Sequence, residues 1–427
     1  MNVSRTLGFA LLALGPLSAQ DWPEFRGPTG DGMSASKGVP TVWSAENNVK
    51  WKVELARPAN GSPVVSNGRV FLTLAQDEDG KRRSLCCFDR LNGKLLWTRT
   101  VTHDEKMPTH GTNPYGGSTP AADGKRVVVW HASAGLHCYD FEGKQLWSRD
   151  FGEFRHRWGY GTSPVLHQGT VILHTGPGKR VFVVALALAT GKTIWKTEEP
   201  IDGDGQNNAE KRYMGSWCTP IVIDVKGRTQ VLCTMSTRVV GYDIDDGKIL
   251  WSCRGLAGKR GDLAYSSPVV IGDICLVVAG YEGPELGIRL GGEGDVTKTH
   301  RLWRHDNRPD NIGSGVAVDG KLYLPDARGF VVCLDPVTGE RLWSGRPAKG
   351  KMWGSIVFVD GNLFVTNQRG TTVVFEPNPK KLVVVARNDL GESTNSTPAF
   401  AGSELFLRTH KHLFCIHNAP PPGKTGR

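Results

Sequence analysis

Seven tryptophans, Trp51, Trp97, Trp147, Trp195, Trp251, Trp303 and Trp343, recur at intervals of 40 to 56 residues, each at the end of a similar phrase. One copy runs from Cys87-Phe88-Asp89 through Asn92-Gly93-Lys94 to Leu96-Trp97; another runs from Cys138-Tyr139-Asp140 through Glu142-Gly143-Lys144 to Leu146-Trp147. Each phrase reads as a strand, an acidic turn with a glycine, and a returning strand. Strand chemistry repeated with a period of roughly 40–50 residues marks a radial β repeat in which each copy is one four-stranded blade. The chain must close such repeats on one another, because a single blade cannot bury both of its faces.

A second landmark opens each repeat. Ser62-Pro63, Thr119-Pro120, Ser163-Pro164, Thr219-Pro220, Ser267-Pro268 and Thr397-Pro398 precede β-branched or apolar pairs, and Gly313-Ser314-Gly315 and Gly354-Ser355-Ile356 are copies without proline. Proline at the first position of a strand forfeits no ladder donor. Eight openings predict an all-β, eight-bladed β-propeller of four-stranded antiparallel blades, with seven blades as the alternative count. Trp51 precedes the first opening, and the last opening reaches no tryptophan of its own. The strand around Val49-Lys50-Trp51-Lys52 is therefore expected to complete the blade begun at Ser396, closing the ring and removing its free edges. The seventh repeat departs from the pattern, with Val385-Ala386 where Trp is due.

Around the propeller, expected over 43–417, lie further segments. Arg5, the apolar run Leu7 to Leu17 and the small residues Ser18-Ala19 read as a secretory signal over 1–19. A leader over 20–42 and a disordered tail over 418–427 complete the division. Thr197 to Gly215 and Tyr281 to His300 read as insertions in loops. The expected location is periplasmic or secreted, since no cysteine follows the cleavage site and no second apolar segment is long enough to span a membrane. Nine cysteines invite a disulfide framework, but Cys87, Cys138, Cys333 and Cys415 occupy one repeat position in separate blades. That puts them too far apart to bridge, so they read as small buried hydrophobes. The net charge of +10 is scattered, and no basic stripe interleaved with aromatics appears, which argues against nucleic-acid binding.

The recurring unit Ala/Cys-x-Asp-x-x-Thr/Asn-Gly-Lys-x-x-Trp resembles the pyrroloquinoline-quinone (PQQ) repeat family, from Trp22-Pro23-Glu24-Phe25-Arg26-Gly27 to Cys415. The resemblance implies a propeller whose tryptophans dock neighbouring blades. It implies two functional branches: BamB-like scaffolds without cofactor, and quinoprotein dehydrogenases that hold PQQ and calcium in the central funnel. No calcium-ligand or catalytic-aspartate motif of the dehydrogenases maps onto specific positions of this chain.

Residues just ahead of each opening are expected to line the channel mouth. Trp217, Tyr265 and Trp353, with nearby Trp158 and Tyr160, form an aromatic lining that could stack a planar ligand such as a quinone, grip a peptide, or simply plug the channel. Arg155 and Arg157 could bind an anionic group, or could lie in an exposed loop. His410 and His412 share one face of a strand, but lack a third ligand. Asp202-Gly203-Asp204-Gly205-Gln206 hints at a calcium loop and then departs from it at Asn207 and Tyr213. No hydrolase motif occurs. The sequence is read as an exported, non-catalytic binding or scaffold module, monomeric, for a protein, peptide or envelope polymer. A PQQ- and calcium-dependent alcohol or sugar dehydrogenase is the alternative.

Overall fold

A computed structural model describes residues 21–178, 180–200, 213–306, 308–309 and 311–418. The N-terminal apolar segment, the acidic loop at Asp202 to Gln206 and all but the first residue of the tail lie outside the described residues. Among the described residues short strands alternate with tight turns and a single 3-10 turn at Ala132–Ala134, and the strands assemble into eight blades. Blades 1 to 7 occupy residues 64–102, 121–149, 165–198, 221–254, 269–305, 316–345 and 357–389. Blade 8 combines Ala399–Ala401, Glu404–Arg408 and His412–His417 with Val49–Glu54 as its outer strand, so the ring closes through the N-terminal strand as the repeat order requires.

The eight openings meet in one circumferential belt. The amide of Ser62 donates to the hydroxyl of Thr119, Thr119 to Ser163, Ser163 to Thr219, Ser267 to Ser314, Ser314 to Ser355, Ser355 to Thr397, and Thr397 back to Ser62, at 2.9–3.2 Å. The remaining junction is made by the Ser267 hydroxyl, which donates to the Thr219 carbonyl at 2.8 Å. All eight hydroxyl residues are buried. A hydroxyl is demanded at this position because each amide here would otherwise be a buried donor without a partner.

The tryptophans form the outer latch. The indole N–H of Trp51, Trp97, Trp147, Trp195, Trp303 and Trp343 donates to a backbone carbonyl of the following blade, at Arg90, Phe141, Leu188, Ile244, Pro336 and Asn378. Five of the rings lie on the turn glycine of that blade, Gly93, Gly143, Gly191, Gly247 or Gly339, each at a positive φ of 68–84°. A Cβ there would come within 2.4–2.9 Å of the ring system. The glycine thus serves the turn and the docking together.

The two departures from the latch share a cause. Residues 290–300 replace the turn that Trp251 would meet; their Gly294–Asp295 pairs with the outer edge of blade 4, and Trp251 bonds Gln230 of its own blade. Only this part of the expected Tyr281 to His300 insertion is extra chain, because Glu285–Arg289 is the third strand of blade 5. Blade 7 lacks a tryptophan because blade 8 has no turn to receive one, its third and fourth strands coming from opposite ends of the chain. Trp43 fills that space instead. It is buried beside Leu390 and Ala386, and Asn388 ties it down by accepting from the Trp43 amide and donating to the Thr41 carbonyl.

The leader, expected outside the repeats, lies outside the blades but inside the ring. Trp22 pairs with Val65 of blade 1 and meets Phe400 of blade 8; the Pro23 carbonyl accepts from Ala122 of blade 2, and the Glu24 carboxyl from Leu166 of blade 3. Arg26 donates to Pro268 and Gly315 of blades 5 and 6, and Met33–Ser34 pairs with blade 7. Innermost strands leave one edge unpaired, and this segment covers those edges at one end of the channel. All nine cysteines are buried and free, and burial pushes the Cys87 and Cys138 thiols up to about 12.

Candidate loop-face binding site

The other end of the channel is built by the crossings between blades. Two of these crossings pair in parallel, Tyr213–Ser216 with Gly261–Ala264, and the Trp217 amide extends the ribbon by donating to Ala264. This ribbon brings Trp217 and Tyr265 together, with ring centroids 5.4 Å apart. Trp158 packs on Trp217 at 5.9 Å, on Tyr213 at 5.0 Å and on Tyr281 at 5.7 Å. His156 meets the Trp217 ring edge to face at 4.9 Å. Burial pulls the His156 imidazole down to about 4, so it is neutral at physiological pH; its Nε2 donates to the Met214 carbonyl, and its Nδ1 accepts from the Trp158 amide. Six rings from three crossings and one hairpin therefore form one cluster.

Two arginines lie on this cluster. The Arg157 guanidinium sits 5.0 Å from the Tyr213 centroid and 5.9 Å from that of Trp158, donates to the Tyr213 hydroxyl, and has no carboxylate partner among the described residues. Arg260 covers Tyr281 at 4.7 Å and pairs with Glu282. Tyr281 and Glu282 are consecutive non-glycine residues with φ of 56° and 60°, a left-handed pair that L side chains resist. The ring contacts of Tyr281 hold that conformation.

The remaining half of the mouth is amide. Gln368 donates to Asn395, Asn395 to Asn60, and Asn60 to the Asn113 side-chain oxygen, while Asn113 donates to the Trp158 and Tyr160 carbonyls. Four side-chain amides thereby bind the loops of blades 7, 8, 1 and 2 to the aromatic half.

Of the residues expected at the mouth, Trp158, Trp217 and Tyr265 come together. Tyr160 turns beneath the loop, with the Arg83 guanidinium 5.3 Å from its centroid. Trp353 is half-buried in the crossing to blade 7 and makes no ring–ring contact among the described residues. Arg155 is engaged by Glu153 at 2.6 Å and Glu105 at 2.8 Å. His412 bonds Glu392, and no three His, Cys, Asp or Glu side chains among the described residues cluster as a metal site would require. Tyr213, Tyr281, Arg260 and Asn113 were not anticipated from sequence. The one local signal was Gly280-Tyr281-Glu282-Gly283, whose flanking glycines frame the strained pair.

Fold and mouth define a class: an eight-bladed propeller latched by glycine-docked tryptophans, with one channel end closed by its own leader. The chain belongs to the PQQ-repeat family described as outer membrane protein assembly factor BamB, whose model matches residues 31–114, 81–345 and 327–419. It is 28% identical over 115 residues to outer membrane protein assembly factor BamB of Kangiella koreensis, covering 25% of this chain and 27% of that protein. It is 24% identical over 145 residues to the quinoprotein alcohol dehydrogenase PedH of Pseudomonas putida, covering 34% of this chain and 22% of that one. The matches thus span about a quarter of each curated relative's length. The structure also superposes on quinohemoprotein alcohol dehydrogenase from Comamonas testosteroni with a TM-score of 0.65 at 12% identity, covering 96% of this chain and 82% of that one. At that identity the likeness concerns the fold.

Proposed function

We propose that this protein is an exported, non-catalytic binding module whose loop face takes a protein, peptide or envelope polymer. The observation that supports the reading is the Arg157–Trp158–Tyr213–Tyr281 cluster, an aromatic bed bearing a positioned guanidinium that has no carboxylate partner among the described residues. Aromatic and arginine side chains dominate binding energy at protein surfaces. Guanidinium donors also suit carboxylate or phosphate groups of a partner. Among the described residues no helix is long and apolar enough to cross a membrane. The N-terminal apolar segment and the envelope-assembly relative support export.

The test is calorimetry against a panel of acidic peptides, neutral peptides and envelope polysaccharides. An acidic peptide is expected to bind, and Arg157→Ala with Trp158→Ala to weaken it about tenfold or more. Equal affinity in that double variant would overturn the assignment. The second reading, a PQQ-dependent oxidoreductase, draws on the paired Trp158 and Trp217 rings and on the quinoprotein relative. In that reading the indole faces would stack the planar quinone.

A further inference from the structure

Three arginines, Arg26, Arg83 and Arg408, are fully buried, and none pairs with a carboxylate among the described residues. Burying an unpaired cation is costly unless dipoles or a counter-charge replace its hydration. Arg26 and Arg408 bond backbone carbonyls: Pro268, Asp31 and Gly315 for the first, Gly61 and Thr73 for the second. Arg26 leaves its Nε, and Arg408 its Nε and Nη2, without a partner among the described residues. Arg83 bonds backbone carbonyls too, but it does so beside a buried imidazole. It lies between blades 1 and 2, its Nε bonded to Gly80 and its Nη1 to the His131 carbonyl, while Nη2 has no partner. The rings of Tyr115 and Tyr160 cover it, with its guanidinium 5.6 and 5.3 Å from their centroids. Beside it His131 is 1% exposed, and neither ring nitrogen has a partner.

His137 and Arg83 are the groups that act on His131, while Asp104, Glu105 and Glu153 act on the neighbouring His103. The His137 ring lies 6.0 Å from that of His131, tilted by 49°, and His103 neighbours Arg83. The nearby carboxylates Glu105 and Glu153 are taken by Arg155. Burial, Arg83 and His137 together hold the His131 imidazole well below its ordinary value, so it offers one N–H donor. The Arg83 guanidinium, bonded through Nη1 to the His131 carbonyl, and the His131 imidazole are thus buried neighbours, each with a nitrogen that has no partner among the described residues.

We propose that Arg83 Nη2 and the His131 ring hold a small inorganic monoanion of the halide class at the interface of blades 1 and 2. The anion accepts from both groups and supplies the counter-charge that Arg83 lacks. This site is separate from the loop-face cluster and does not depend on its function.

Bromide is the probe. Crystals grown in sodium bromide should show an anomalous peak within about 3.5 Å of Arg83 Nη2, the range of a charge-assisted contact. The melting temperature should rise by about 1–2 °C when bromide replaces gluconate at constant ionic strength. Arg83→Met should abolish that rise, and His131→Asn should reduce it. An ordered water in place of the bromide peak, or an equal rise in Arg83→Met, would overturn the proposal. If Arg83→Met does not fold, the wild-type anomalous map decides alone.

Discussion

Glu24 is the side chain whose chemistry reports most directly on the closed end of the channel. Its carboxyl is buried, accepting from the Leu166 amide, and burial pushes it up to about 8 from the ordinary 4.5. In the folded protein it therefore stays protonated while the unfolded chain has already ionised. A carboxyl shifted upward opposes folding as pH rises, so stability should fall from about pH 4.5 to pH 8 and then level off, by up to about 5 kcal/mol from this group. Glu24→Gln should remove most of that slope, read by urea unfolding at pH 5 and pH 8. An unchanged slope would mean that Glu24 is hydrated and that the leader does not seal the channel. Nothing in the string Trp22-Pro23-Glu24-Phe25-Arg26 announces this. Burial here arises from six blades, 1, 2, 3, 5, 6 and 8, converging on residues 22–26, contacts of high sequence separation that local pattern cannot show.

At the scale of the element, the docking of one blade on the next was the most legible part of the fold. The Gly-Lys-x-x-Trp phrase displays it openly, because the turn glycine of one repeat must accept the ring of the previous one. The blade count and the N-terminal closure were legible for the same reason, Trp51 standing ahead of any opening. What stayed hidden was the substitution of Trp43 for the missing seventh latch, and the use of residues 290–300 to cap blade 4. Both are responses to a neighbour's geometry rather than to local sequence. The latch predicts its own energetics. Trp147→Ala should cost about 3–5 kcal/mol, the usual range for removing a large buried aromatic, measured by denaturant unfolding. Trp353→Ala, outside the latch series and half-buried, should cost well under half of that. Equal losses would show that the indoles act as generic bulk and not as a docking device.

For the whole molecule, the two ends of the channel have opposite characters. The leader seals one, and the other presents aromatic rings, two arginines and a chain of amides. The aromatic half was partly readable, since Trp158, Trp217 and Tyr265 fall at or beside the same repeat position. Its full extent was not, because Tyr213 and Tyr281 reach it through a parallel ribbon and a strained hairpin whose pairing is tertiary. The same rings could stack a quinone, and one titration separates a binding module from a dehydrogenase. Purified protein is titrated with PQQ in the presence of calcium by calorimetry, followed by dye reduction with alcohols and sugars. The binding-module account predicts no heat of binding at high micromolar PQQ and no turnover. Tight binding accompanied by turnover would contradict it.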